Sequence, residues 1–335
     1  MLVDRGIGFD TADTTVTAKQ AEEDGFEGLW CEETGHDPFL PLLLAAEHTE
    51  RIAVGTAIAV AFARNPMTMA VVANDLQSYS KGRFILGLGS QIKPHITKRY
   101  SMPWSHPAPR MREFVLAMRE IWASWNEGTK LAFRGDFYTH TLMNPLFSPG
   151  GNPYGPPKVF VAAVGGLMTE VAGEVGDGLL AHGFTTERYM REVTKPALER
   201  GLAKAGRTLD SYEISYPAMV VTGDTEEEME TAKLAVKGQI AFYGSTPAYR
   251  QVLELHGWGE LQTELNTLSK KGAWEQMSGL IDDEVVGTFA VVSPPDEVAR
   301  ILRARFGDIV TRVTFYVPYQ IERERLRKLL EGFRT

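Results

Sequence analysis

"GLWCEETGHDPFLPLLLAAEHT" (residues 28–49) begins as an apolar strand, ends that strand in a crowd of ionisable groups and continues as a helix. Gly28-Leu29-Trp30-Cys31 has the unbroken apolar run of a strand covered on both faces, as in a parallel sheet. Glu32, Glu33, His36 and Asp37 follow at once. Pro38 then stands where a first-turn proline sacrifices no hydrogen bond. A strand, a polar turn and a helix make one β/α unit, and the unit recurs along the chain.

Working outward, the residues predict strands at 3–9, 27–31, 51–62, 83–89, 158–166, 178–184, 213–223 and 312–318. Thr14 is expected to cap a first helix that Gly25 stops. Further helices are expected at 37–49, 65–80, 110–125, 169–175, 224–236, 296–306 and 322–333. In the 110–125 segment Phe114, Met118, Ile121, Trp122 and Trp125 recur at helical spacing and are core candidates. Residues 130–142 look like a hairpin, and the Pro/Gly-rich 144–157 is a loop because alternation resumes after it. Residues 237–284 form a largely helical insertion with no strand signal. Eight such units favour a closed (β/α)8 TIM barrel, one domain over 1–335, with its helical insertion after strand seven. In such a barrel the chemistry gathers at the C-terminal strand ends, where the opening stretch places its acids.

The 335 residues are 44% hydrophobic and 23% charged, an ordinary globular composition. A net charge of −8 argues against nucleic acid or an anionic membrane as a general partner, and any anionic ligand would need local basic groups or backbone donors. No apolar run approaches the roughly 18 residues of a membrane span. The single cysteine, Cys31, excludes an intrachain disulfide. With no secretory signal at "MLVDRGIGFD", it leads to the expectation of a cytoplasmic protein.

Several stretches could carry chemistry. Glu32, Glu33, His36 and Asp37, at the end of strand two, put acids and a histidine together, a set that suits general acid–base work. The alternative is that Asp37 or Thr34 caps the helix while the glutamates face solvent. As a metal site the cluster is poor, since no HExxH or second spaced cluster accompanies it. "GTAIAVAFARNP" (55–66) lets a ligand approach the backbone closely, or serves tight packing. In "LGLGSQIKPHITKRY" (86–100), Gly87 and Gly89 start a dinucleotide fingerprint, but Ile92 holds its third glycine position. Ser90, Gln91, His95, Lys98 and Arg99 follow as a polar cluster or a solvated basic turn. Gly165-Gly166 before a helix makes an anion cradle of backbone N–H groups, or a plain turn. Tyr243, Tyr249, Arg250, His256 and Trp258 could wall a pocket or form a subunit contact.

Together, "GFEGLW", "LAAEHTERIAVGTAIAV" followed by "RNP", "SKGRFILGLGSQ", "VAAVGG…AGEVGDGLL" and "SPPDEVARIL" resemble the luciferase-like monooxygenase superfamily over nearly the whole chain. "AFARNPMTMA", "LGLGSQIKPHITKRYSMPW", "RMREFVLAMREIW" and "AFYGSTPAYRQVLELHGWGEL" resemble its coenzyme F420-dependent oxidoreductases. The resemblance implies a barrel with a deazaflavin, F420, in its mouth and hydride exchange with a small organic substrate. It implies a strand-three bulge at Thr56-Ala57-Ile58, with a cis Ala57–Ile58 peptide backing the cofactor ring. It puts Gly87, Gly89, Ser90 and Gln91 against that ring, and Gly165, Gly166 and Leu167 around the phosphate. Glu33 falls where relatives place Asp, and Thr34 where they often place His. Gln91 or Ile92 stands where some have a catalytic Glu, which leaves Glu33, His95 and His36 as acid–base candidates. A homo-oligomer, dimer or larger, is also expected. An FMN-dependent monooxygenase using O2 and a catalytically silent flavin-binding barrel are the alternatives.

Overall fold

The structure, a computed structural model, describes residues 1–8 and 10–334. Eight strands alternate with helices: β1 (Leu2–Gly6), β2 (Gly28–Cys31), β3 (Ala53–Thr56), β4 (Phe84–Gly89), β5 (Lys158–Ala163), β6 (Gly178–Ala181), β7 (Glu213–Val221) and β8 (Arg312–Tyr316). All pair in parallel, in the order β7-β8-β1-β2-β3-β4-β5-β6. Because β6 pairs back onto β7, the sheet closes into a (β/α)8 barrel, as the alternation predicts. Phe9, in the stretch expected to end the first strand, lies outside the described residues. Among the described residues, no helix is long and apolar enough to cross a membrane.

Glycines on the strands let large rings fill the interior. Trp30, Ile85, Phe160 and Leu180 form the central layer. A Cβ on Gly55 would stand 2.5 Å from the Trp30 ring, and one on Gly178 2.6 Å from that of Phe160. Toward the N-terminal strand ends, Asp4 is fully buried and accepts hydrogen bonds from Trp30 Nε1, Arg312 Nε and Arg312 Nη2, each at 2.8 Å. Arg312 Nη1 also reaches Glu213 at 3.1 Å. This charged plug shuts the bottom of the barrel, so only the C-terminal end can open to a ligand.

Three expectations are corrected. The first helix starts at Thr11, not at a Thr14 cap: the Thr14 hydroxyl donates to the Asp10 carbonyl at 2.9 Å from inside the helix. The predicted strand 51–62 is broken after Thr56, and only Ala59–Val60 resumes pairing, before a short 3-10 turn. A helical stretch absent from the sequence reading fills 187–204, with a π-helical turn at Met190–Thr194 joining Lys195–Lys204. Pro196 lies within it and has no N–H for the ordinary helical bond, which both favours the wider turn and disguises the helical pattern.

Between β7 and β8 run the helices Glu226–Gly244, Arg250–Leu255, Gly259–Ser269, Trp274–Gly279 and Asp283–Phe289. The first opens on a capping box of Thr225 and Glu228 and continues unbroken through position 237. A three-residue strand, Ala290–Val292, then pairs beside the end of β7. These helices share an apolar cluster with Phe184 and Met219, residues at the C-terminal ends of β6 and β7. They form a roof over that side of the barrel mouth.

Candidate active site

The break in strand three shapes one wall of the mouth. Pairing of β3 with β4 stops at Gly55↔Ile85 and resumes at Ala59↔Leu88. Thr56, Ala57 and Ile58 therefore face only Leu86 and Gly87, a one-residue bulge of the kind that re-aims a strand. Thr56 bridges the gap: its hydroxyl donates to the Gly87 carbonyl at 2.7 Å and accepts the Gly87 N–H at 2.9 Å. The Ala57–Ile58 peptide is cis, as the resemblance implies. Gly87 and Gly89, both buried, make room for the bulge: a Cβ on Gly87 would stand 1.8 Å from the Thr56 carbonyl oxygen, and one on Gly89 would meet the Ile58 side chain at 2.8 Å.

Glu33 holds this bulge in place. Its Oε2 accepts the Val60 N–H at 2.7 Å and Arg64 Nη1 at 2.6 Å, and its Oε1 accepts the Tyr100 hydroxyl at 3.2 Å. Its own N–H donates to the Ile58 carbonyl at 3.1 Å. This carboxylate is buried against Arg64 and not turned to water, so the solvent-facing alternative does not hold for Glu33. Asp37 does support the helix start, accepting the Phe39 N–H at 2.9 Å, and it also pairs with Arg64. His36 lies on the exposed turn before that helix, and His95 on the exposed turn His95–Arg99. Ser90 donates to the Gln91 carbonyl, while Gln91, at φ 59°, folds its side chain back to accept the Ile92 N–H.

Glu32, one residue earlier, is the acid of the mouth. Side chains alternate along a strand, and Trp30 points into the barrel, so Glu32 shares its face. It is open to solvent, yet the surrounding walls displace enough water to push its carboxyl above the ordinary range.

The opposite wall is aromatic. His182, just beyond β6, lies between Tyr243 and Tyr249, with ring centroids 4.7 and 4.6 Å away. His182 Nδ1 accepts the Phe184 N–H at 3.0 Å, which leaves the ring proton on Nε2, donated to the Tyr249 hydroxyl at 3.1 Å. The Tyr243 and Tyr316 hydroxyls meet at 3.0 Å. Burial raises the Tyr243 phenol most, with the Tyr316 hydroxyl and then the Glu32 charge adding to the effect. Burial likewise raises Tyr316, and pushes Tyr249 up to about 12. The phenols are thus neutral donors. Tyr243 and Tyr249 were among the sequence candidates; His182 and Tyr316 were not, being hidden in apolar strand stretches.

Burial depresses His182 to about 4, although part of the residue reaches the surface at the mouth. An unfolded histidine titrates near 6.5. The contribution of His182 to stability is therefore fully present above about pH 6.5 and is lost as pH falls toward 4, by at most about 3 kcal/mol and less where solvent screens the ring. Urea midpoints at pH 7 and 4.5 are expected to differ less in His182→Gln than in the wild type.

The predicted anion loop is built as a helix start. Gly166–Val175 begins at Gly165 with no side-chain cap, and a Cβ on Gly166 would meet nothing within 4 Å. The Gly166 and Leu167 N–H groups stand at the positive end of the helix dipole. Leu167 itself is exposed. A separate cavity of about 550 Å3 lies outside the strand ring between Thr186–Glu192 and His256, Thr288 and Arg305. Its arginines are already paired: Arg188 with Glu192, Arg191 with Glu187 and Asp308, and Arg305 with Glu187. The mouth, with its facing walls and convergent polar groups, is the better site.

The model of the luciferase-like monooxygenase family matches residues 4–312. An uncharacterized protein of Mycobacterium tuberculosis is 58% identical over 311 residues, covering 93% of this chain and 92% of its own. The 5,10-methylenetetrahydromethanopterin reductase of Archaeoglobus fulgidus is 27% identical over 320 residues, 93% of this chain and 91% of its own. Among solved structures, the coenzyme F420 dependent tetrahydromethanopterin reductase of Methanopyrus kandleri superposes with a TM-score of 0.80 at 23% identity, covering 98% of this chain and 96% of its own.

Proposed function

The chain belongs to the luciferase-like monooxygenase family, and from that premise we propose that it is an oxidoreductase holding coenzyme F420 in its barrel mouth and exchanging a hydride with a small organic substrate. The observation that carries the reading is the bulge at Thr56-Ala57-Ile58, with its cis Ala57–Ile58 peptide and part-exposed Ala57 and Ile58, at the same end of the barrel as the titratable groups of the opposite strands. Likeness to reductases, one of them named as F420 dependent, favours the deazaflavin.

The residues present fit such a cofactor. A flat ring needs a rigid wall to lie against, which the part-exposed Ala57 and Ile58 of the bulge offer, backed by the buried Thr56, Gly87 and Gly89, with Ser90 and Gln91 at its edge. A phosphate needs unpaired backbone donors, which Gly166 and Leu167 offer at an uncapped helix start beside Gly165. When bound, the deazaflavin supplies the hydride chemistry. Glu33 and Arg64 keep the bulge in shape. Glu32, with its raised carboxyl, carries the proton that accompanies the hydride, because an acid tuned upward works nearer neutral pH.

Glu32→Gln is expected to lower turnover about tenfold or more while cofactor affinity changes little. Steady-state oxidation of reduced F420 beside a binding titration checks both. The reading itself is tested by titrating the protein with F420 and with FMN. Stoichiometric F420 binding, followed by oxidation of reduced F420 on adding a small carbonyl compound, is the expected result. Tight FMN binding with substrate-dependent oxygen uptake, and no F420 binding, would instead mark a flavin monooxygenase.

A further inference from the structure

Building on that reading of the mouth, we propose that Tyr249 and the Tyr243–Tyr316 pair are specificity-determining groups that receive the substrate's oxygen, selecting an uncharged carbonyl or hydroxyl compound over a carboxylated or phosphorylated one. The ring of strands places these groups. Counting around the closed sheet, β7 stands opposite β3 and β8 opposite β4. Tyr316 ends β8, His182 follows β6, and Tyr243 and Tyr249 descend from the roof after β7. The aromatic wall therefore faces the strand-three bulge across the ring of strands.

Hydrogen-bond accounting gives the wall its polarity. Tyr249 accepts the His182 Nε2 proton, so its own proton remains to be donated elsewhere. In the Tyr243–Tyr316 contact one hydroxyl donates to the other, which leaves the second proton available. Two neutral O–H donors match the two lone pairs of a ketone, aldehyde or alcohol oxygen. An anionic group finds the wrong partner, because the ionisable side chain on the inner face of this mouth is an acid, Glu32, and not a base. The neighbouring guanidinium groups are committed: Arg64 to Glu33 and Asp37, Arg99 to the Thr34 carbonyl, Arg250 to Glu254 and Gln262. His182 is a positioning residue. It touches no substrate in this account, and through Nε2 it fixes which way the Tyr249 hydroxyl turns.

The test uses the full chain with F420 present and cyclohexanone, cyclohexanecarboxylate and glucose 6-phosphate as probes. Probe affinities come from ligand-observed NMR and F420 affinity from fluorescence titration of the same samples. Tyrosine-to-phenylalanine changes keep the ring packing, so these variants should fold. Cyclohexanone is expected to bind about tenfold or more tightly than either anion. Tyr249→Phe and Tyr316→Phe should each weaken it about tenfold with F420 affinity unchanged. His182→Gln should weaken it similarly in the wild type and add nothing to Tyr249→Phe. Unchanged cyclohexanone affinity in both phenylalanine variants, or preferential binding of either anion, would overturn the assignment. If F420 failed to bind while cyclohexanone still depended on the tyrosines, the cofactor reading would fall and the donor wall would stand.

Discussion

Gly87→Ala is expected to cost about 3 kcal/mol or more of folding stability, from a single added methyl group. Its Cβ would stand 1.8 Å from the Thr56 carbonyl oxygen and 2.6 Å from Leu180 Cδ1. The first of these is main chain, held by the Thr56 hydroxyl's two bonds to Gly87, so no side-chain rotation relieves the overlap. Either β4 moves away from the bulge or the bulge opens, and each spoils the wall proposed for the cofactor. Chemical denaturation of purified protein measures the loss. Gly166→Ala is the control: its Cβ meets nothing within 4 Å, and it should unfold like the wild type. An unchanged midpoint for Gly87→Ala would mean that β3 and β4 are not this close.

Asp4→Ala should cost about 3–5 kcal/mol, because it strands the Arg312 guanidinium inside the barrel. Asp4 is fully buried and Arg312 nearly so. Glu213, at 3.1 Å from Nη1, is the acid left to it, and Trp30 Nε1 loses its acceptor. The remedy is to remove both charges together. Asp4→Leu with Arg312→Met is expected to recover most of the stability, since apolar groups of similar size satisfy the same space. Thermal melts of the single and double variants decide the matter; a double variant no better than Asp4→Ala would show that the plug acts by shape and not by charge.

Much of the barrel was legible because buried parallel strands are apolar on both faces, and "RFILGLG" or "GLLAHGF" has no other natural reading. That same property hid the site. All four residues of β2 are buried, so nothing in Gly28-Leu29-Trp30-Cys31 tells which face is the interior. Without that parity, Glu32 and Glu33 are interchangeable on paper. In three dimensions one faces the mouth and the other is locked to Arg64, a partner 31 residues away. His182 and Tyr316 were missed for a related reason, as each closes an apolar strand and looks like packing. The bulge was legible only through resemblance, since its hydrogen bonds tie β2, β3 and β4 together across long separations. The 187–204 helix escaped because Pro196 interrupts its pattern.

A crystal structure of the protein soaked with F420 tests the account most directly. Electron density for the deazaflavin ring is expected against Ala57–Ile58, Gly87 and Gly89, with the phosphate at the Gly166 and Leu167 N–H groups and the Tyr243, Tyr249 and Tyr316 hydroxyls left facing the ring. Density for the ring outside the mouth, or a mouth closed by the protein's own side chains in the soaked crystal, would contradict it.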